Sequence, residues 1–354
     1  MTTILLTGVA GFIGCNYLYY ILRNYPDWKI IGLDKLTYAG NFGNFSGLSD
    51  KERERFTFIK GDISDRDLVE SVFTMHSIDG IVNFAAETHV DRSIHDPSEF
   101  LQTNILGTGT LLSAARGDWF QHGLWQKNKK FLQVSTDEVY GSLGTSGSFS
   151  EKTSLDPHSP YSASKAAADL LVKAYHDTYG MPVCITRCSN NYGPYQFPEK
   201  LIPLIIRNAL NHQPLPIYGD GKQVRDWLFV EDHCRALDAV FGKGSTGEVY
   251  NIGGNNEWEN IRLVKVLISV LQEQTGDPGI SEELIRFVTD RPGHDRRYAI
   301  DSSKIRKELN WFPETNFTEG IQKTVRWYLM NKEWMENVIT GEYMQFYEEN
   351  YTKR

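Results

Sequence analysis

The first half of the chain alternates short apolar or β-branched runs with longer segments whose apolar positions recur at helical spacing. Residues 3–7, 29–33, 56–60, 80–85, 131–135 and 183–187 predict strands. Between them, 12–24, 67–76, 99–116 and 160–179 predict helices, the last with Ser159 as a cap and Pro160 at its first position. The strands show no polar alternation, so both faces of their sheet need a cover, and helical crossovers make that sheet parallel. The pattern predicts an α/β fold, a doubly wound Rossmann-type parallel sheet with a smaller C-terminal substrate-binding lobe. After about Asn190 the alternation breaks into Gly/Pro-rich segments such as NNYGPYQFPEK and PLPIYGDGKQ. The expected division is 1–189 for the dinucleotide-binding domain, which also holds the catalytic residues, and 190–354 for the substrate lobe, with the chain crossing back to the first domain. Residues 144–150 read as a loop, and 327–354 as a surface-packed helical tail without chemistry.

Composition narrows the function. The 354 residues are 40% hydrophobic and can bury a sizeable core, and a net charge of -8 argues against a broad nucleic-acid surface. Four cysteines, Cys15, Cys184, Cys188 and Cys234, form no metal-ligand spacing and fit reduced thiols in a cytosolic enzyme, so no metal is expected. The N-terminus lacks the basic segment of a signal peptide, and no run reaches the roughly 20 apolar residues that span a bilayer. Neither secretion nor membrane insertion is expected.

Chemistry enters directly after the first strand. Gly8-Val-Ala-Gly11-Phe-Ile-Gly14 is a glycine turn opening a helix, whose first N–H groups can hold a pyrophosphate. Asp34 ends the second strand, about 20 residues beyond Gly14, where a carboxylate can bind ribose hydroxyls and repel a 2′-phosphate. This favours NAD over NADP, with Lys35 as the neighbouring cation. Asp62, after the third strand, can accept from an adenine amino group or cap a turn. Phe84-Ala85-Ala86 ends the fourth strand with small residues against which a cofactor can lie.

Tyr161 and Lys165 fall one helical turn apart on a single face, where the lysine cation would lower the tyrosine pKa. The fifth strand ends in Thr136-Asp137-Glu138. Moving a hydride and an alcohol proton needs only a hydroxyl beside the Tyr/Lys pair, so two adjacent carboxylates suggest a second reaction at a neighbouring carbon.

The segments TGVAGFIG, FAAETHVDRSI, STDEVYG, PYSASKAAAD, TRCSNNYGPYQFPEKLIP, PLPIYGDGKQVRDWLFVEDH, YNIGG and DRPGHDRRYAID run from the N-terminus to about residue 301. In their order they resemble the dTDP-glucose 4,6-dehydratase family of extended short-chain dehydrogenases. The resemblance implies that Tyr161 removes the glucose O4 proton with help from Lys165, that Thr136 holds the O4 region, that Glu138 is the base at C5 and that Asp137 is the acid for the C6 hydroxyl. It implies cofactor contacts from Phe12, Ile13, Asp34, Lys35, Leu36, Thr37, Asp62, Ile63, Ala85, Ala86, Thr103 and Asn191. Around the nucleotide-sugar it implies Asn190, Lys200, Leu201, Pro216, Ile217, Tyr218, Arg225, Asn260 and the loop Asp290, Arg291, Pro292, Gly293 and His294, with His89 as a further polar contact. Lys200 and Arg225 are suitable partners for a diphosphate. A homodimer is also implied. The stretch SLGTSGSFSEKTSLDP departs from the family pattern in being short. Rival readings are the same dehydration of UDP-glucose, a 4-epimerase, which Asp137 and Glu138 argue against, and a non-catalytic NAD-binding scaffold.

Overall fold

A computed structural model describes residues 2–290 and 294–339. Its frame is a seven-stranded sheet of β1 (Thr3–Thr7), β2 (Lys29–Asp34), β3 (Phe56–Lys60), β4 (Gly80–Asn83), β5 (Lys130–Thr136), β6 (Val183–Cys188) and β7 (Val249–Ile252). The spatial order is β7-β6-β5-β4-β1-β2-β3, and all pairings are parallel. This is a Rossmann-like doubly wound α/β sheet.

Side-chain alternation explains the two covered faces. On β1, Ile4 and Leu6 pack with Tyr17, Leu18 and Ile21 of the Phe12–Asn24 helix and with Leu237 and Val240 of the Val230–Lys243 helix. Leu5 faces the other way, joining Ile31, Ile81 and Phe131 against Val69, Val72, Leu111 and Leu112. Each strand side chain is therefore buried on whichever face it points to, which is why polar residues do not alternate along these strands. The chain leaves for the second lobe after β6, returns through the Val230–Lys243 helix and β7, and comes back again at Ile305 and Trp311, which are buried in the same core as β1.

The second lobe has its own core, where Ile202, Ile205, Ile206, Leu263 and Leu267 pack with Tyr192, Trp227, Phe229, Ile321 and Tyr328. Its strand Val224–Phe229 lies between Asn190–Tyr192, parallel, and Glu257–Glu259, antiparallel. A separate pair joins Leu215–Tyr218 to Ile285–Val288.

Three expectations change. The fourth strand stops at Asn83, because its partner β1 ends at Thr7 in that register, and Phe84–Ala86 leaves the sheet. The helix expected at 99–116 is a continuous run from Ser98 to Trp119 interrupted by a π-helical stretch, Leu101–Gly107, a widening often found at functional sites. The tail expected from 327 onward is not merely surface-packed: Tyr328 and Met335, of the Phe317–Met330 and Lys332–Asn337 helices, are buried in the second core. Residues 340–354 of that tail lie outside the described residues. No helix among the described residues is long and apolar enough to cross a membrane, and no group there could hold a metal ion.

Candidate active site

Strand order reverses at the β1/β4 junction, where an open α/β sheet leaves a crevice beyond its carboxyl ends. A cleft of about 310 Å³ opens there. Its walls come from residues at or just beyond the ends of six strands: Gly8, Asp34, Asp62, Phe84 to Thr88, Thr136 to Glu138, and Cys188.

Backbone geometry builds one end. Gly8 has φ +64, its N–H donates to Leu33 O (2.8 Å), and a Cβ there would lie 2.6 Å from Ala85 N. A Cβ on Gly14 would lie 2.2 Å from Gly8 O. Turn, helix and β4 exit thus meet with no room for side chains. Gly11 caps the helix without a side-chain bond, leaving the first-turn N–H groups available to an anion. Asp34 accepts from Ala10 N and from Leu36 N, both at 2.8 Å. Lys35 Nζ lies 2.9 Å from Asp62 Oδ2 and 3.3 Å from Glu99 Oε2. Burial opposes ionisation of Asp62, yet Lys35 and Ser64 together hold its carboxyl below the ordinary range. Asp62 therefore serves a turn and an ion pair. Phe12, Ile13, Thr37, Ile63, Ala85, Ala86, Thr103 and Asn191 also line the cleft, whereas Leu36, held at φ +56, does not.

The other end is built from buried side chains. Ser159 caps the Pro160–Tyr179 helix by accepting from Ser162 N (3.1 Å), which fixes Tyr161 and Lys165 in its first turns at 7% and 4% exposure. Lys165 Nζ donates to Val134 O on β5 (2.8 Å). One turn further on, Asp169 accepts from Arg187 Nε (2.9 Å), and Arg187 Nη1 donates to Tyr140 Oη (2.9 Å). Helix, β6 and the turn after β5 are thereby tied together. In that turn, Thr136 Oγ1 accepts from Glu138 N (3.3 Å). Asp137 is 2% exposed, its Oδ2 has no hydrogen-bond partner, and burial, then the charges of Glu138 and Asp226, push its pKa well up. Glu138 is half-buried.

The tyrosine departs from expectation. Burial and the charge of Glu138 drive the Tyr161 pKa up, with its Thr136 hydrogen bond pulling the other way, and burial lowers that of Lys165. Desolvation and a nearby carboxylate set the direction here.

The residues expected around the nucleotide-sugar separate into two groups. Asn190 and Lys200 line the cleft; Leu201, beside Lys200, opens the next helix. Pro216, Ile217, Tyr218, Arg225, Asn260, Asp290 and His294 are not in its walls but form an adjoining group in the second lobe. Pro216 and Ile217 are buried, Tyr218 meets the His294 ring edge-on at 6.1 Å, and Asp290 bonds both Gln223 Nε2 (2.8 Å) and His294 Nδ1 (2.6 Å). Asn260 Oδ1 is buried without a hydrogen-bond partner. Arg225 donates to Val224 O (2.8 Å) and Asp295 O (2.9 Å) and stacks 4.3 Å over the Tyr298 ring. Its charge, acting on Asp137, joins this group to the turn after β5. Arg291, Pro292 and Gly293 lie outside the described residues. His89 is buried behind the cleft wall, 3.9 Å from Glu199.

Residues 5–324 match the family model described as GDP-mannose 4,6 dehydratase. The dTDP-glucose 4,6-dehydratase of Xanthomonas campestris is 52% identical over 348 residues, spanning 97% of each chain. The chain belongs to the dTDP-glucose 4,6-dehydratase family. Among solved members, the Bacillus anthracis enzyme in complex with NAD has a TM-score of 0.85 at 48% identity, covering 96% of this chain and 100% of its own. The Streptomyces venezuelae enzyme, also with NAD bound, has a TM-score of 0.87 at 46% identity, with coverages of 96% and 100%.

The residues present in this family member fit a dinucleotide. The glycine cradle leaves no space for a Cβ, and Thr103 and Asn191 are among the cleft-lining residues that carry buried oxygens without hydrogen-bond partners. The cleft also contains residues that spacing did not single out, among them Glu87, Gln196 and Glu199. Glu199 is fully buried, accepts from Tyr38 Oη (3.1 Å), and has His89, Arg92 and Lys200 nitrogens at 3.7–3.9 Å. Only its place inside the family segment PEKLIP hinted at it.

Proposed function

We infer that this chain dehydrates dTDP-glucose to dTDP-4-keto-6-deoxyglucose with NAD as its resident cofactor. The observation that carries the reading is the pair of adjacent carboxyls beyond β5: Asp137, buried and pushed toward its protonated form, beside the more exposed Glu138, whose charge reaches both Asp137 and Tyr161. Opposite environments on neighbouring carboxyls supply an acid and a base at once, which an elimination needs and an epimerisation does not.

Bound NAD supplies a hydride acceptor for C4 and returns the hydride to C6. Tyr161 takes the O4 proton, with Lys165 favouring the phenolate and Thr136 orienting the hydroxyl. Glu138 removes the proton at C5, Asp137 protonates the departing C6 hydroxyl, which leaves as water, and Glu138 returns a proton to C5 as the hydride reaches C6. Gly8, Gly11 and Gly14 with Phe12 and Ile13 hold the pyrophosphate turn. Asp34 receives the ribose hydroxyls and disfavours a 2′-phosphate, and the ion pairs of Lys35 leave it poorly suited to offset that charge. Thr37, Asp62, Ile63, Ala85, Ala86, Thr103 and Asn191 complete the cofactor contacts. Lys200 and Arg225 hold the diphosphate, with Asn190, Leu201, Pro216, Ile217, Tyr218, Asn260, Asp290 and His294 around the rest.

The two-part reading, 1–189 for cofactor and catalysis and 190–354 mainly for substrate, is supported by the separate second core. Exposed Leu101, Leu106 and Leu170, on helical segments that pack together, support a homodimer. Four buried free thiols support a cytoplasmic location.

Purified protein given dTDP-glucose and UDP-glucose in parallel, with NAD at or below enzyme concentration, should form the 4-keto-6-deoxy product from dTDP-glucose over many cycles. Preference for UDP-glucose would overturn the substrate assignment. Release of one reduced dinucleotide per product would overturn the internal redox balance.

A further inference from the structure

The last two described helices supply no catalytic side chain, yet hydrogen-bond chains run from them to two walls of the cleft. Trp334 Nε1 donates to Asn44 Oδ1 (2.7 Å), Asn44 Nδ2 donates to Ala10 O (2.8 Å), and Ala10 N donates to Asp34 Oδ2 (2.8 Å). From the neighbouring helix, Tyr328 Oη donates to Gln196 O (2.6 Å), and Gln196 Nε2 donates to Asn191 O (2.9 Å). Gln196, Asn191 and Asp34 all line the cleft.

An indole N–H can only donate, so Trp334 fixes which end of the Asn44 amide is the acceptor and turns its NH₂ toward the glycine turn. Asn44 is 1% exposed, and Tyr19 Oη pins its own carbonyl (2.9 Å). With no water competing, a flipped amide would oppose two acceptors at Ala10 and two donors at Trp334. The Ala10 carbonyl is thus held from one side, while the Ala10 N–H, in the preceding peptide, donates to the Asp34 carboxylate, so the residue is pinned at both of its backbone polar groups. Trp334 itself is packed among Trp327, Tyr328 and Tyr195, attached to the second-lobe core.

We propose that Trp334 is a positioning residue for the dinucleotide, acting through Asn44 and Ala10 to fix Asp34 and the glycine turn from the C-terminal end of the chain. The proposal rests on the NAD reading above and adds that cofactor retention depends on the second lobe. A cofactor that must take and return the same hydride has to stay bound through the cycle, and a brace from the substrate-binding lobe gives it that residence.

Equilibrium dialysis of NAD against the full chain tests this, with wild type measured first. Trp334→Phe should weaken NAD about three- to ten-fold, the loss of one buried hydrogen bond, while kcat at saturating NAD and the KM for dTDP-glucose move less. Asn44→Asp keeps the acceptor for Trp334 but loses the donor to Ala10; it should weaken NAD similarly, and the double variant should add little. Trp327→Phe trims the same aromatic cluster without touching this chain, so it should lower Tm yet leave NAD affinity near wild type. Wild-type NAD affinity in Trp334→Phe, or an equal loss in Trp327→Phe, would reduce the residue to packing and overturn the proposal. Wild-type protein that bound no NAD would sink the cofactor reading and this proposal with it.

Discussion

Asp34 and Asp137 are both buried carboxyls at the carboxyl edge of the sheet, one ending β2 and the other just beyond β5, and their neighbours make them opposites. Burial raises the pKa of each. At Asp34 two backbone N–H groups oppose the rise and hold the carboxyl in place. At Asp137 the next influences are Glu138 and Asp226, both negative, and Oδ2 has no donor. Burial alone therefore does not decide a carboxyl's role; the partners left to it do. The Asp34 end of the cleft is built from backbone dipoles, and the Asp137 end from side chains that raise one another's pKa.

Exchanging the two environments' properties gives the strongest test. Asp137→Asn should slow turnover by about 10²–10⁴ by removing the acid, and it should also stabilise the protein. The sign follows from linkage: the folded-state pKa of Asp137 lies above its ordinary value of 3.8. Its contribution is therefore complete below that ordinary value and is lost as pH rises toward the folded one. The Tm advantage of Asp137→Asn over wild type should accordingly widen as pH is raised from 4, and a variant less stable than wild type at neutral pH would contradict the account of this corner.

A smaller effect is expected at Arg225, whose guanidinium is already oriented by two carbonyls and the Tyr298 ring. Arg225→Ala should raise the KM for the nucleotide-sugar by about 1.5–3 kcal/mol, the value of a charge-assisted contact, with NAD affinity nearly constant. Equal losses of both would indicate a structural residue.

Smaller again is Asp34→Asn. It retains one acceptor and loses the charge, so NAD should bind roughly ten-fold more weakly, about one charge-assisted contact, while NADP should lose much less. Titrating both dinucleotides by fluorescence would show this, and an unaltered NAD/NADP ratio would remove the carboxylate from cofactor choice.

What the sequence revealed was local. Gly8, Gly11 and Gly14, the 161/165 pair and the 136–138 turn depend on spacing within one turn or loop, and strand ends brought them together because a parallel sheet collects them on one edge. Parts set by distant pairings were not legible. Nothing near Asp137 announces Asp226, nearly ninety residues away, and nothing near Asn44 announces Trp334. The π-helical stretch keeps helical periodicity, so only its contacts betray it: Asn104 holds Glu87 N at 2.9 Å and donates to Ser164 Oγ at 2.8 Å. The expected lowering of the Tyr161 pKa failed for a related reason, since a motif lists its cation but not its desolvation.

The division of labour between Tyr161/Lys165 and Asp137/Glu138 can be tested in a single mixing experiment with dTDP-glucose in deuterated water, following absorbance of the reduced dinucleotide and deuterium at C5. Glu138→Gln should still reduce bound NAD and accumulate 4-keto-glucose without C5 exchange, whereas Tyr161→Phe should give no absorbance change. If Glu138→Gln, still folded, abolished the absorbance as completely as Tyr161→Phe, the two steps would not be separable and the assignment of base and acid would be wrong.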